Sequence, residues 1–147
     1  MRMLMGEFHH SIDEKNRLII PSKFRGDLGS RVIVTRGLEG CLFVYSEAEW
    51  SIIVSQLKTL PFTKKDARAF SRFFLSGAIE AEFDKQGRIN IPSPLIGYAS
   101  ITKNCVVIGV NDRLEIWAED SFNKFMSENE DDLSDIAEHL FDVGSGL

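Results

Sequence analysis

The sequence has few of the residues that mark a metal site, a redox centre or a membrane span. Its two cysteines, Cys41 and Cys105, lie 64 residues apart in apolar stretches and form no Cys-x-x-Cys pair. We therefore predict neither a zinc site nor a redox pair, and we expect both thiols to be buried. No apolar run approaches the roughly 20 residues that cross a bilayer. The apolar start of the chain is too short for a signal peptide, so we expect a cytoplasmic protein with no membrane partner.

The sequence also lacks the common motifs of catalysis. It contains no Gly-rich phosphate loop, no H-x-x-E-H type motif and no typical Ser/His/Asp spacing. His9 and His10 are adjacent in a predicted strand, where successive side chains point to opposite faces, so they cannot chelate one metal ion. Asp13 and Asp84 resemble a paired-carboxylate site, but each has an arginine four residues later that favours its ionised form. We predict no enzyme, no cofactor, no metal and no small-molecule substrate.

The charge of the chain is unevenly distributed. Its formal net charge is −5, from 17 basic and 22 acidic residues. Seven of the acidic residues follow Met126, where there is no Lys or Arg, which leaves 17 basic and 15 acidic residues in residues 1–126. This balance excludes a strongly basic protein that coats nucleic acid without specificity, but it does not exclude focused basic loops. The acidic tail carries apolar residues at helical spacing, and it either docks on a neighbour or frays.

An internal repeat organises the chain. Residues 13–22 (DEKNRLIIPS) align with residues 84–93 (DKQGRINIPS), and five positions are identical at an offset of 71 residues. Residues 42–45 and 114–117 match at an offset of 72. A unit of about 45 residues buries too little surface to make a sturdy core alone. We therefore expect the two units to pair about a pseudo-twofold axis.

Each unit is predicted to run strand, tight turn, strand, short helix, strand, strand, helix. Asn16 and Gly87 occupy the same repeat position, and these residue types best tolerate a positive φ, which predicts a left-handed turn at both sites. Ser22 and Ser93 are predicted to be the N-caps of the short helices. The predicted segments are residues 5–52 for the first repeat, 53–77 for a helical insert, 78–124 for the second repeat and 125–147 for the acidic tail.

The helical insert has a clear beginning and an internal break. Ser46 and Glu49 form a capping box, which predicts a helix start. Apolar residues then recur at helical spacing up to Pro61, which ends this helix, and a second helix is predicted from about Thr63. Core packing explains both apolar stripes.

The two turns carry most of the candidate functional residues. We expect residues 13–17 and 84–88 to form a symmetric pair on one face. The planar fork of arginine suits phosphate and the O6 and N7 atoms of guanine, while aspartate can cap the loop amides and hold the arginine. One interpretation of the pattern is a basic loop pair that grips duplex DNA, and the recurrence of the turn strengthens it. The alternative is an ordinary hairpin turn closed by an Asp–Arg pair, which contributes little. The candidate DNA contacts are Lys15, Arg17, Lys85 and Arg88, and the candidate loop-shaping residues are Asp13, Asn16, Asp84 and Gly87.

Taken together, these spaced motifs resemble the MraZ family, whose members contain two repeats related to the AbrB-type, MazE-like fold. The resemblance extends over about residues 3–126. It rests on residues 13–21, 35–43 (TRGLEGCLF), 66–74 (DARAFSRFF), 77–78 and 84–92.

The resemblance implies a mainly β, α+β fold, in which two pseudo-symmetric repeats form a double-split, swapped-hairpin β-barrel with helices between and after them. It also implies subunits that associate into a homo-oligomeric ring. The family's D-x-x-x-R signature maps onto Asp13 with Arg17 and onto Asp84 with Arg88. Asn16 departs from the usual glycine. Gln86 removes a lysine that Lys85 would replace.

The implied function is sequence-specific DNA binding by a nucleoid-associated bacterial transcriptional regulator. Such a regulator is expected to repress its own promoter and the adjacent division and cell-wall gene cluster. One chain offers few phosphate contacts, whereas a ring that engages repeated short elements gains avidity of about 10²–10⁴.

The alternative function is that of a ring-forming interaction scaffold, or an antitoxin-like partner, with no direct DNA role and with the acidic tail as its binding arm. The role of four basic residues of the insert has two interpretations: they form a further DNA-facing strip, or they make ion pairs with a neighbouring subunit. They are Lys64, Lys65, Arg68 and Arg72.

Overall fold

The two repeats fold into the same series of elements in the computed structural model, which describes residues 3–141. The first repeat contributes β1 (Leu4–Ser11), β2 (Arg17–Ile19), α1 (Ser22–Leu28), β3 (Arg31–Arg36), β4 (Leu42–Ser46) and α2 (Glu47–Lys58). After α3 (Lys65–Ser76), the second repeat contributes β5 (Ile79–Glu82), β6 (Arg88–Asn90), α4 (Ser93–Tyr98), β7 (Asn104–Asn111), β8 (Arg113–Ala118) and α5 (Glu119–Asn129). A short 3-10 turn (Glu130–Asp132) and α6 (Leu133–Phe141) follow.

The strands form two antiparallel sheets in which the repeats exchange partners. The larger sheet has the order β1-β7-β8-β4-β3-β5, so the first strand of each repeat pairs with the third strand of the other. The smaller sheet is the ladder between β2 and β6, one strand from each repeat. The mixed α+β class with a mostly antiparallel sheet is therefore confirmed. Within residues 3–141 the larger sheet stays open, with β1 and β5 as its edges, and does not close into a barrel.

One hydrophobic core is shared by both repeats. Leu18 of β2 and Ile89 of β6 are fully buried side by side in the ladder, and they join Phe24 of α1 and Leu95 of α4 in a single cluster with the inner face of the large sheet. Because this cluster draws on both units, neither repeat has a complete core of its own.

A second, aromatic cluster covers the opposite face of the large sheet. Phe74 of α3, Trp117 of β8 and Phe122 of α5 are buried in it, and Trp50 and Leu57 of α2 pack against it. The rings of Trp50 and Phe74 stack with their centroids 5.5 Å apart. A sheet covered on both faces has no side that needs polar residues, and all five residues of β4 are accordingly buried.

The helix starts confirm one predicted cap and correct two others. Ser46 Oγ accepts a hydrogen bond from Glu49 N at 3.2 Å, which confirms the predicted cap of α2. The predicted Ser22 and Ser93 caps are wrong. Pro21 and Pro92 occupy the N-cap positions, and no side chain caps either helix. The physical reason is that both prolines have extended ψ angles of 139° and 150°, and their carbonyls accept the first helical hydrogen bonds, so each helix begins one residue earlier than predicted.

Both cysteines are buried, as predicted: Cys41 is 1% exposed and Cys105 is 0% exposed. Burial raises the pKa of the Cys41 thiol above its ordinary value, and it raises that of Cys105 to about 11. Thiols held in the protonated form are poor nucleophiles and poor metal ligands.

The acidic tail is helical as far as it is described. Helix α6 has the predicted apolar stripe, but Leu133, Ile136, Leu140 and Phe141 are all more than 40% exposed. The last six residues of the predicted segment 125–147 lie outside the described residues. None of the helices within residues 3–141 combines the length and the apolar character that a membrane span requires.

Candidate functional site

The first of the two turns, loop I (residues 13–17), is organised around one carboxylate. Asp13 Oδ1 accepts hydrogen bonds from the backbone N–H groups of Lys15 and Arg17, both at 2.9 Å. Asp13 Oδ2 accepts from Arg17 Nε at 2.7 Å. Asn16 has a φ of 61°, the left-handed conformation predicted from the repeat. One aspartate therefore closes the turn and fixes the direction of the arginine.

Loop II (residues 84–88) repeats this geometry. Asp84 Oδ1 accepts from the backbone N–H groups of Gln86 and Arg88 at 2.9 Å, and Asp84 Oδ2 accepts from Arg88 Nε at 2.7 Å. Gly87 has a φ of 76°. The same distances in both loops show that the D-x-x-x-R pattern specifies one local structure, although the residues between Asp and Arg differ.

The ladder between β2 and β6 brings the two loops together on one outward face. Leu18 and Ile89 point inward, so the flanking Arg17 and Arg88 point outward. Arg88 Nη1 lies 3.7 Å from Asp13 Oδ2, which links the loops directly through side chains. Asn90 Nδ2 also donates to the Lys15 carbonyl at 2.9 Å.

Hydrogen bonding holds both aspartates in the ionised form. The backbone N–H of Arg17 is the largest cause that lowers the pKa of Asp13, and the backbone N–H of Arg88 does the same for Asp84. The arginine side chains add further hydrogen bonds and charge attraction. A shared proton between these carboxylates, as an acid–base pair would need, is therefore disfavoured.

The arginines keep donors available for a ligand. Each uses Nε for its own loop aspartate, and the side chains are 32% exposed for Arg17 and 22% for Arg88. Beyond the Arg88–Asp13 contact, their Nη groups have no protein acceptor within residues 3–141. Lys15 and Lys85 are exposed. The arrangement can thus present two oriented guanidinium forks and two exposed ammonium groups to an anionic surface.

The two loops differ in charge. Loop I has two cations and two carboxylates, whereas loop II has two cations and one carboxylate. Lys85 aligns with Glu14 at the repeat offset, and Lys15 aligns with Gln86, so the lysines do not occupy equivalent positions. The pseudo-twofold symmetry therefore applies to the backbone and the Asp–Arg pairs rather than to the full set of charges.

Two further cations lie at the loops, and sequence reasoning missed both. Arg25 of α1 places its guanidinium against Gly87 of loop II, where an added Cβ would overlap it. Lys103 lines a groove of about 680 Å³ with Asp13, Lys15 and Arg17 of loop I. Each cation comes from the repeat that does not contain the loop, so no local motif could have indicated it.

The other charged groups lie elsewhere in the structure. The insert cations stand on or just before α3, away from the ladder, and Arg68 Nη1 donates to the Phe62 carbonyl at 3.0 Å. Glu115 is 8% exposed and accepts from Arg113 and from Trp117 Nε1. The Glu115 carboxylate is therefore fully engaged with protein partners. Within the described part of the chain, no group of three His, Cys, Asp or Glu residues is placed to hold a metal ion.

Comparison with protein families agrees with this duplicated architecture. A family model described as "MraZ protein, putative antitoxin-like" matches the chain twice, over residues 3–73 and 74–144. The chain belongs to the MraZ family. The two consecutive matches cover nearly the whole sequence; the first contains loop I and the second contains loop II.

Proposed function

We propose that this MraZ-family protein is a sequence-specific DNA-binding transcriptional regulator that contacts duplex DNA through loops I and II. The observation that carries the proposal is the paired loop geometry. Two arginines, each fixed by its own aspartate, point outward from one ladder and are bridged by the Arg88–Asp13 contact. Fixed forks discriminate among acceptors better than free side chains, because little conformational freedom is lost on binding.

The four candidate contacts divide by chemistry. Arg17 and Arg88 are the principal readers of base edges, since a bidentate arginine matches guanine O6 and N7. Lys15 and Lys85 are exposed point charges suited to the phosphate backbone. The loop-shaping residues Asp13, Asn16, Asp84 and Gly87 act through the backbone conformation that they stabilise.

A single chain offers few contacts, so strong binding requires several copies. We propose a homo-oligomeric ring that engages repeated short elements, which places the protein on the nucleoid and directs it to its own promoter and the adjacent division and cell-wall genes. Linking several weak contacts raises avidity by about 10²–10⁴. A duplex with one element is expected to bind weakly and a duplex with several elements much more tightly. Equal affinity for both would contradict the multivalent mechanism.

The test is fluorescence anisotropy with the DNA upstream of the protein's own gene, at two salt concentrations. Arg17→Ala and Arg88→Ala are each expected to weaken binding by about 1–3 kcal/mol, or roughly 5–150-fold, for each element that the ring engages. Arg31→Ala is the matched control, because Arg31 is an exposed arginine on β3, outside the loops, and it is paired with Glu82 of β5.

Assembly must be measured on the same samples by mass photometry. Loss of binding by the loop variants, with assembly and the Arg31→Ala control unchanged, supports the proposal. Loop variants that bind as tightly as the wild type, or a wild type that binds no DNA, would contradict it.

The finer features of the architecture also stay proposals. The partner exchange between repeats is compatible with a swapped-hairpin arrangement of AbrB-type units, and we propose that these units form the double-split barrel of the family. We propose likewise that residues 5–52, 53–77, 78–124 and 125–147 are the first repeat, the helical insert, the second repeat and the tail. Limited proteolysis tests this division, which predicts that the tail is cleaved before either repeat.

A second candidate function is favoured by the exposed apolar face of α6. Leu133, Ile136 and Leu140 share one side of this helix and are 41–67% exposed, which is typical of a surface that binds protein. An interaction scaffold or antitoxin-like partner would use this face and would not need the loops. Under that alternative, Leu140→Asp changes the assembled mass or partner binding, whereas Arg17→Ala changes neither.

A further inference from the structure

Arg25 of α1 stands in an unusual environment next to loop II. A Cβ built on Gly87 would lie 2.9 Å from Arg25 Nε and closer still to its Cζ and Nη1. The guanidinium therefore occupies the space that a side chain at position 87 would fill. The repeat equivalent of Arg25 is Ile96, and the repeat equivalent of Gly87 is Asn16, so loop I has no equivalent cation at this position.

The charge of Arg25 is not neutralised by the protein. Its Nε is buried and has no hydrogen-bond partner, and no carboxylate forms an ion pair with it within residues 3–141. Arg17 and Arg88, by contrast, are each bound to an aspartate. Because Nε is shielded, a ligand can reach Arg25 only through the remainder of its half-buried guanidinium.

We propose that Arg25 is a further DNA-contacting residue, which makes loop II the stronger phosphate-binding half of the pair. This inference rests on the proposed function. With Arg25 included, loop II gathers three cations, Arg25, Lys85 and Arg88, around the single carboxylate of Asp84. Loop I with Lys103 gathers three cations around two carboxylates, Asp13 and Glu14. The protein therefore presents unequal halves to the duplex, and the glycine at position 87 is what admits the extra guanidinium.

The test is the salt dependence of binding to a duplex with several elements, measured by anisotropy between 50 and 200 mM KCl. Each neutralised phosphate contributes about 0.9 to the slope of log affinity against log salt. Every subunit of the ring carries the substitution, so Arg25→Gln is expected to lower this slope by about 0.9 for each subunit that contacts the duplex. At 0.1 M salt it is expected to weaken binding about eightfold per contacting subunit, since 0.1 raised to −0.9 is about 8. Arg25→Lys keeps the charge and is expected to keep the slope, which a role limited to packing against loop II would not predict.

Two further variants separate position from charge. Lys23→Gln is the matched control, because Lys23 is an exposed cation on the same helix whose Nζ lies over the Phe8 ring at 5.9 Å rather than at loop II. It is expected to leave the slope unchanged. Gly87→Asn keeps every charge, and asparagine accepts the positive φ, but its side chain displaces the guanidinium, so weaker binding is expected.

The outcomes distinguish this inference from the function on which it rests. If the wild-type protein binds DNA and Arg25→Gln binds it with the same affinity and salt slope, the role of Arg25 is overturned and the proposed role of loops I and II stands. If Lys23→Gln lowers the salt slope as much as Arg25→Gln does, the role of Arg25 is also overturned, because loss of any positive charge on α1 would then have the same effect. Unchanged affinity for Gly87→Asn would overturn the argument that DNA binding depends on the position of the guanidinium beside Gly87. Wild-type protein that binds no DNA would overturn the proposed function itself.

Discussion

Replacing Gly87 with alanine is expected to destabilise the protein by about 1–2 kcal/mol, because residue 87 has a φ of 76°. A left-handed conformation costs an L-residue with a Cβ roughly this amount. The added methyl group would also meet the Arg25 guanidinium. That contact is the mobile end of a long side chain, which can move aside, so the backbone conformation accounts for most of the expected loss.

Gly26→Ala is the matched control, and its expected effect has the opposite sign. Gly26 lies inside α1, no atom lies within 4 Å of its added Cβ, and its φ is not positive. Alanine in place of glycine in a helix interior stabilises by about 0.5–1 kcal/mol. The two alanine variants are therefore expected to differ by roughly 1.5–3 kcal/mol in the free energy of unfolding.

The assay is urea unfolding of the full chain, followed by circular dichroism at one fixed protein concentration, since association would make stability depend on concentration. The midpoints should move in opposite directions with unchanged slopes. A Gly87→Ala protein as stable as the wild type, or more stable, would refute the argument that the positive φ at position 87 disfavours alanine.

Three further predictions follow from the ladder, the aspartates and the tail. Leu18→Ala is expected to lower the free energy of unfolding by about 2–5 kcal/mol in the same assay, because Leu18 is fully buried between the repeats. Ile19→Ala is the control and should change it by less than about 0.5 kcal/mol, because Ile19 is 41% exposed. Equal losses for the two variants would contradict the inward position of Leu18. Hydrogen bonding lowers the pKa of Asp13 and that of Asp84 from the ordinary value of 3.8, so the loop hydrogen bonds are fully formed above pH 3.8 and are lost as the pH falls through the lowered pKa values. Side-chain carbon NMR should show titration midpoints below pH 3.8 for both carboxyl groups, and a midpoint above pH 3.8 would contradict the ion pairs. Deletion of residues 130–147, just after the end of α5, should tighten non-specific DNA binding in anisotropy, because it removes acidic groups that mimic phosphate, and unchanged affinity would exclude that role.

The local features of the fold could be predicted from the sequence because they depend on neighbouring residues. The repeated D-x-x-x-R pattern predicts two equivalent turns, and the shared Asn16 and Gly87 position predicts a positive φ in both. The Ser46 cap could be predicted for the same reason, because it depends on a contact with Glu49, only three residues away. The Ser22 cap was predicted wrongly, because the preceding Pro21 takes the N-cap position in an extended conformation.

The long-range features could not be predicted in this way. The offset of 71 residues indicates that two units pair, but it does not say that β1 joins β7 and β5 joins β3. The position of Arg25 against Gly87 joins residues 62 positions apart in different repeats, and their own repeat equivalents, Ile96 and Asn16, give no hint of it. Such contacts arise from how the units pack, which a local pattern does not record.

The most direct test of the central claim is photo-crosslinking from the loops to DNA. Lys15→Cys and Lys85→Cys would each carry a short photoreactive group, and Lys58→Cys, exposed at the end of α2, would carry the same group as a control. The native thiols of Cys41 and Cys105 are buried and should stay unlabelled in the folded protein. The account predicts crosslinks to a duplex with several elements from positions 15 and 85 and none from position 58. Crosslinks from position 58 alone, or from none of the three in a sample that binds the duplex, would contradict it.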